Sequence, residues 1–319
     1  MDYINPFKKH GKEIENELVQ TEQELTEENH WLEVLEGFSD YNEEDRVISS
    51  EEAIKIIEEK RKQEGKLRYI KSGCGQLDTL IKGFLPGDVV VISGPTKNGK
   101  SLLMMSFTKD FCDAGEKCLW FSYEMSTEEL IEKYNLDVPL FYLPRKLKES
   151  TLDWIGCRII EGIAKFKTNI VFIDHLHYLL DLMSVNKNIN TSLYIGSIMR
   201  RLKNFAREYK VTIFLVSHIT KTIITSPPTL YDLRDSSFTA QEADFVMFIW
   251  RPIIAGTNPP LMGEDAVLSL QANRRTGKNG NIELSYINGL LKEKVIANEQ
   301  IAEQKLDEID TKLSAIDFP

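Results

Sequence analysis

Gly94-Pro-Thr-Lys-Asn-Gly-Lys-Ser101 follows the pattern G-x-x-x-x-G-K-[ST], and its flanks decide how it is read. Asp88-Val-Val-Val-Ile-Ser93 before it is a short β-branched run that reads as a buried strand, and Leu102–Phe111 after it reads as a helix. In a strand, glycine-rich turn and helix, successive backbone N–H groups face one point and the helix N-terminus adds partial positive charge there. Lys100 then reaches the β- and γ-phosphates, and the Ser101 hydroxyl completes the coordination of Mg2+. The segment implies a bound nucleoside triphosphate, ATP or GTP.

A chain of 319 residues that is 42% hydrophobic can bury a core in one large or two smaller domains. No apolar run approaches the roughly 20 residues needed to span a bilayer, and the N-terminus lacks the apolar stretch of a signal peptide. Cys74, Cys112, Cys118 and Cys157 show no metal-ligand spacing, so they read as thiols in a reducing cytoplasm. The net charge of −10 is not spread evenly: residues 1–66 hold 19 acids against 9 bases, and the rest is balanced at 30 of each. Acidity confined to the ends does not argue against a nucleic-acid partner for the middle.

The organisation expected is an acidic, partly ordered arm over 1–48, an amphipathic linker helix over 49–66, a nucleotide domain over 67–291 and an acidic tail or helix over 292–319. Ser49 with Glu52 forms a capping box, Ala53, Ile56 and Ile57 share a face, and Gly65 ends that helix. Within the domain, strands are expected at Val89–Ser93, Cys118–Tyr123, Leu140–Leu143, Asn169–Ile173 and Thr212–Ser217. Helices are expected at Leu102–Asp113, Thr127–Tyr134, Leu152–Phe166 and Tyr194–Tyr209. This alternation is an α/β layout with a mostly parallel sheet. Phe245–Trp250, Val267–Gln271 and Ile282–Tyr286 have no helices between them and read as an antiparallel extension.

Hydrolysis needs a second acid to hold Mg2+ and a base to orient water. Asn169-Ile-Val-Phe-Ile-Asp174 is an apolar strand ending in a carboxylate, and Leu119-Trp-Phe-Ser-Tyr-Glu124 presents another at a strand's carboxyl end, where α/β ligands sit. The structural alternative for Glu124 is a helix N-terminal acid ahead of Ser126-Thr-Glu-Glu129. His175-x-His177 invites a metal reading, but two histidines on opposite faces of a strand end are better explained by packing.

Taken in order, these blocks resemble the C-terminal ATPase domain of DnaB-type replicative helicases, within the RecA-like P-loop ATPases, from about Ser50 to Ile287. Ser72-Gly-Cys-Gly-Gln-Leu-Asp78 with Gly83-Phe-Leu-Pro-Gly-Asp88, Phe121-Ser-Tyr-Glu-Met-Ser126, Phe172-Ile-Asp174, the helix Ser197–Val211, Asp232-Leu-Arg-Asp-Ser236 and Gln241–Arg251 carry the resemblance. It implies a RecA-like fold and an ATP- and Mg2+-dependent helicase motor with catalytic Glu124, Asp174 and Lys100. Gly94, Pro95, Thr96, Lys97, Asn98, Gly99, Lys100, Ser101, Leu102 and Arg251 are its nucleotide-binding residues, and Ser101 and Asp174 its metal ligands. His218 stands where the family usually has a sensor glutamine. A trans-acting arginine falls on Arg275, with Arg274 in reserve and Asn273 in the place of the family's lysine.

Such a finger implies a homo-oligomer, a hexameric ring, acting on single-stranded DNA. Loops over 182–191 and 219–231 are expected to touch the strand through Asn186, Lys187, Asn188, Asn190 and Lys221, with Arg234 nearby. The acidic arm is a candidate dock for a primase, loader or polymerase. Two other readings stay open: a RecA-like regulatory, loading or recombination ATPase without unwinding, and a non-catalytic adaptor.

Overall fold

The computed structural model describes residues 46–65, 68–135, 137–148, 151–181, 191–219, 227–233, 236–254, 261–263 and 265–294. The chain divides into two units, 1–66 and 67–319. In the first, helix α1 (Ser50–Glu64) starts at Ser49, whose Oγ accepts the Glu52 N–H at 3.1 Å, and ends at Gly65 with φ +84°. Only that arm of the capping box forms, because the Glu52 carboxylate pairs with Arg46 instead.

The second unit contains an eight-stranded sheet in the order β10-β9-β8-β5-β1-β4-β3-β2. Five strands are parallel: β1 (Val89–Ser93), β2 (Cys118–Ser122), β3 (Ile170–Asp174), β4 (Thr212–Val216) and β5 (Phe245–Trp250). Strands β8 (Ala266–Asn273), β9 (Gly280–Ile287) and β10 (Leu290–Glu293) extend it antiparallel beyond β5. A small hairpin, β6 (Ile253–Ile254) with β7 (Leu261–Met262), stands apart from it.

Strand β1 is buried throughout because both faces of the sheet are covered, which suits its unbroken β-branched run. Val90 and Ile92 face one core with α2 (Gly75–Ile81) and α3 (Lys100–Asp113). Val89 and Val91 face the other with α5 (Leu152–Phe166), α6 (Leu176–Asp181) and α7 (Thr191–Glu208). Helix α4 (Thr127–Glu132) follows β2, and α8 (Ser236–Glu242) precedes β5. The first core is rich in aromatics: Phe84 meets Phe107, Phe111, Phe214 and Phe245 edge-on at 5.0–6.4 Å. Trp120 stacks on Phe172 at 4.9 Å and donates its indole N–H to Thr108 at 2.9 Å.

Three expectations are corrected. Leu140–Leu143 is no strand: Tyr142 makes a single bridge to Leu119, and Pro139 and Pro144, which lack N–H donors, flank the run. Phe245–Trp250 belongs to the parallel sheet, hydrogen-bonded to β1, and the antiparallel part begins only at β8. Strand β10 continues to Glu293, past the expected start of the tail at 292, and Glu293 accepts the Gln76 N–H at the start of α2 at 3.2 Å.

Candidate active site

The phosphate loop leaves β1 through Gly94 at φ +145°, where a Cβ would lie 2.0 Å from the Ile249 carbonyl oxygen of neighbouring β5. Only glycine fits there. Gly99 at φ +99° caps α3, whose first turn carries no acid and whose cap makes no side-chain hydrogen bond, so the orphan N–H groups remain for an anion. Asn98 braces the loop from outside: its amide donates to the Thr96 carbonyl at 3.0 Å and its oxygen accepts the Arg251 N–H at 2.8 Å.

Lys100 is buried and donates to the carbonyls of Gly94 and Pro95 at 3.1 and 2.9 Å. Burial lowers its pKa, against the raising influence of Glu124 and Asp174. Ser101 donates its hydroxyl to Asp174 Oδ2 at 2.7 Å across the gap between α3 and the end of β3. Burial pushes the Asp174 carboxyl up to about 6, opposed by the Ser101 bond and Lys100. Its other oxygen, Oδ1, is buried with no hydrogen-bond partner. A hydroxyl beside a carboxylate with one unpartnered oxygen is a hard-oxygen pair, and it fits Mg2+.

Glu124 is exposed at the mouth of a cavity of about 690 Å³, which it lines with Thr96, Lys97, Gly99, Lys100, Ser101, Leu102 and His218. The backbone that leads to it is pinned, because the Tyr123 N–H donates to the Asp174 carbonyl at 2.8 Å. The helix-capping role of α4 falls instead to Ser126 and Glu129, which form a complete capping box. Phosphate loop, Glu124, Asp174 and His218 therefore meet at the carboxyl ends of four neighbouring strands, β1, β2, β3 and β4.

Other expected residues lie elsewhere. The Arg251 side chain donates Nε–H to the Gly263 carbonyl at 2.7 Å, away from the residues that line the cavity. Arg275 is locked into its own subunit: it pairs with Asp88 at 2.5 Å, bonds the carbonyls of Ile81 and Gly83, and lies over the Tyr69 and Phe245 rings. Arg274, one position along, is exposed. Both arginines sit in the turn that follows β8, where the Arg274 N–H donates to the Asp244 carbonyl at 2.9 Å, so of the expected pair the reserve Arg274 is the more exposed side chain. Asn273, expected in the lysine's place, is buried and bonds Leu80, Thr276 and Lys278. Asn186, Lys187, Asn188, Asn190, Lys221 and Arg234 lie outside the described residues.

His175, assigned from sequence to packing rather than to a metal, lies beside His218. It directly follows the carboxyl end of β3 at Asp174 and precedes α6, which starts at Leu176. Its ring meets His218 edge-on at 4.2 Å and Tyr178 at 4.9 Å. Its place beside Asp174 is the signal in the sequence, but nothing local pairs it with His218, two residues past the end of β4.

Comparison with known proteins agrees with this geometry. The family profile described as "DnaB-like helicase C terminal domain" matches residues 69–138 and 148–293, more than half of the chain. A probable replicative DNA helicase of Trieres chinensis is 27% identical over 256 residues, covering 69% of this chain and 56% of its own. The replicative DNA helicase DnaB of Mycoplasma pneumoniae is 25% identical over 284 residues, covering 76% and 59%. The chain therefore spans less than two thirds of the length of these relatives. Among solved structures, one described as an ATPase domain superposes with a TM-score of 0.65 at 20% identity, covering 79% of this chain and 100% of that one. A DnaB-like replicative helicase, solved to describe its interactions with primase, gives 0.63 at 19%, covering 86% and 75%. With its RecA-like sheet, its phosphate loop and a profile match over most of its length, the chain belongs to the DnaB-like helicase C-terminal domain family.

Proposed function

We propose that this chain is the ATP-hydrolysing motor of a ring-forming, DnaB-type replicative helicase that translocates on single-stranded DNA. The observation that carries this reading is the meeting of Lys100, Ser101, Glu124 and His218 around one cavity, with Asp174 hydrogen-bonded to Ser101 behind it, in a domain of this family. Loop amides and the α3 N-terminus bind the phosphates, and Lys100 exchanges its two loop carbonyls for phosphate oxygens. Glu124 orients the attacking water and takes its proton as the water oxygen bonds to the γ-phosphorus and ADP leaves with the bond to its oxygen broken. His218 donates to the γ-phosphate and reports its loss to the loop after β4. Ser101 and Asp174 would hold Mg2+, which supplies charge neutralisation at the β- and γ-phosphates.

An exposed Arg274 supports completion of each site by a neighbouring subunit, which makes the working form a ring, a hexamer in this reading. A replication partner such as a primase, loader or polymerase would dock on the acidic arm, and the motor would act in the cytoplasm; among the described residues no helix is long and apolar enough to cross a membrane. The test is strand displacement on a forked duplex alongside ATP turnover with and without single-stranded DNA. Turnover that single strands do not stimulate, with no displacement, overturns the helicase reading and leaves a regulatory RecA-like ATPase.

A further inference from the structure

We propose that Glu124, His175 and His218 form a binding site for a borderline transition-metal ion, with Zn2+ the best match, distinct from the Ser101–Asp174 position. One carboxylate oxygen and two imidazole nitrogens, one from each residue, all lie within 4.8 Å of one another. They come from the carboxyl ends of β2, β3 and β4, which are adjacent in the sheet, so the backbone already brings them together. The rings are also oriented: His175 and His218 meet at 79° with centroids 4.2 Å apart. Behind His175 stands Tyr178, which stacks on Tyr123 at 5.7 Å.

The donor set selects the ion. Two imidazoles with one carboxylate is a zinc-binding set with a fourth position open, whereas Mg2+ prefers oxygen donors and keeps its waters. Bonds of about 2.1 Å in a tetrahedron set ligand atoms about 3.4 Å apart, so closure asks for shifts on the order of 1 Å. Glu124 is exposed and can supply most of that movement. An ion held there occupies the carboxylate that would orient water and the imidazole that would touch the γ-phosphate. Zn2+ bound here is therefore an inhibitor of turnover, acting at the mouth of the cavity while the phosphate loop stays intact.

The test uses the full chain freed of metal by chelation, with Co2+ as the spectroscopic probe and Zn2+ as the competitor. One Co2+ per chain is expected, with visible ligand-field absorption, without thiolate charge-transfer bands, and displaced by Zn2+. His175→Ala and His218→Ala are each expected to weaken Zn2+ binding by about tenfold or more, and the double variant to remove it. Circular-dichroism melting checks their folding, and His175→Asn with His218→Gln serve if the alanine variants unfold. Unchanged binding by the folded double variant, thiolate bands pointing to the four cysteines, or no binding at micromolar Zn2+ overturns the proposal. The inhibition rests on the ATPase reading, and its arm is kept apart: Zn2+ is expected to slow Mg2+-ATP turnover of the wild type more than that of His175→Ala. A chain with no turnover would sink the functional reading, while the binding titration still decides the metal site.

Discussion

Replacing Arg275 with alanine is expected to damage the fold rather than a neighbour's active site. The guanidinium holds Asp88 at 2.5 Å, and the two side chains are only 17% and 10% exposed. Asp88 is a carboxyl already pushed up by burial, with the Leu85 N–H at 2.6 Å and Arg275 favouring its charge. Removing one partner of a buried pair costs about 3–5 kcal/mol, and the residual exposure puts this case at the lower end, about 3 kcal/mol. The carbonyls of Ile81 and Gly83 lose a donor as well, a loss coupled to the first rather than added to it. For a domain of this size that is a fall in Tm of about 6–12 °C. Arg274→Ala, at an exposed position, is expected to leave Tm within about 2 °C and to lower turnover in the assembled ring. Differential scanning calorimetry with a phosphate-release assay reads both variants. If Arg275→Ala melts like the wild type, yet loses turnover that mixed rings restore, the structural role of Arg275 is wrong and it is the finger.

Glu124→Gln is expected to keep nucleotide affinity and to lower turnover by about 10²-fold or more, read by fluorescent-nucleotide titration and single-turnover phosphate release; an unchanged rate refutes the assignment. Gly94→Ala forces a Cβ to 2.0 Å from the Ile249 carbonyl oxygen, so nucleotide binding is expected to be lost in the same titration. Asp174, with a folded pKa of about 6 against an ordinary value of about 3.9, contributes stability that is full below pH 4 and lost as pH rises through 6. Without Mg2+, Asp174→Asn is therefore expected to be more stable than the wild type at pH 7.5, by on the order of 2–3 kcal/mol, and inactive. Denaturant melts across pH 4.5–7.5 check the crossing, and equal stability at both ends counts against the buried charge.

Local chemistry made much of this protein legible from its residues. The loop Gly94–Ser101 is written in the glycines and the lysine that its own backbone demands. Strand β1, helix α5 and the run Phe245–Trp250 appear at their expected bounds, because burial on both faces leaves an unbroken apolar run and burial of one helical stripe leaves a period. Asp174 stands out as the carboxylate that closes one such apolar run, and Glu124 as the carboxylate just past another. Whatever depends on which segment lies beside which was decided only by tertiary structure. Phe245–Trp250 is parallel because it pairs with β1, a fact of sheet order that its own six residues do not encode. Arg274 and Arg275 are identical side chains in adjacent positions, and only the packing of α2 and Asp88 against one face buries the second. His175 and His218 lie far apart in the chain and meet because β3 and β4 are neighbours. Conformation within a loop or strand follows from nearby residues, whereas the pairing of strands is a long-range choice that no local stretch carries.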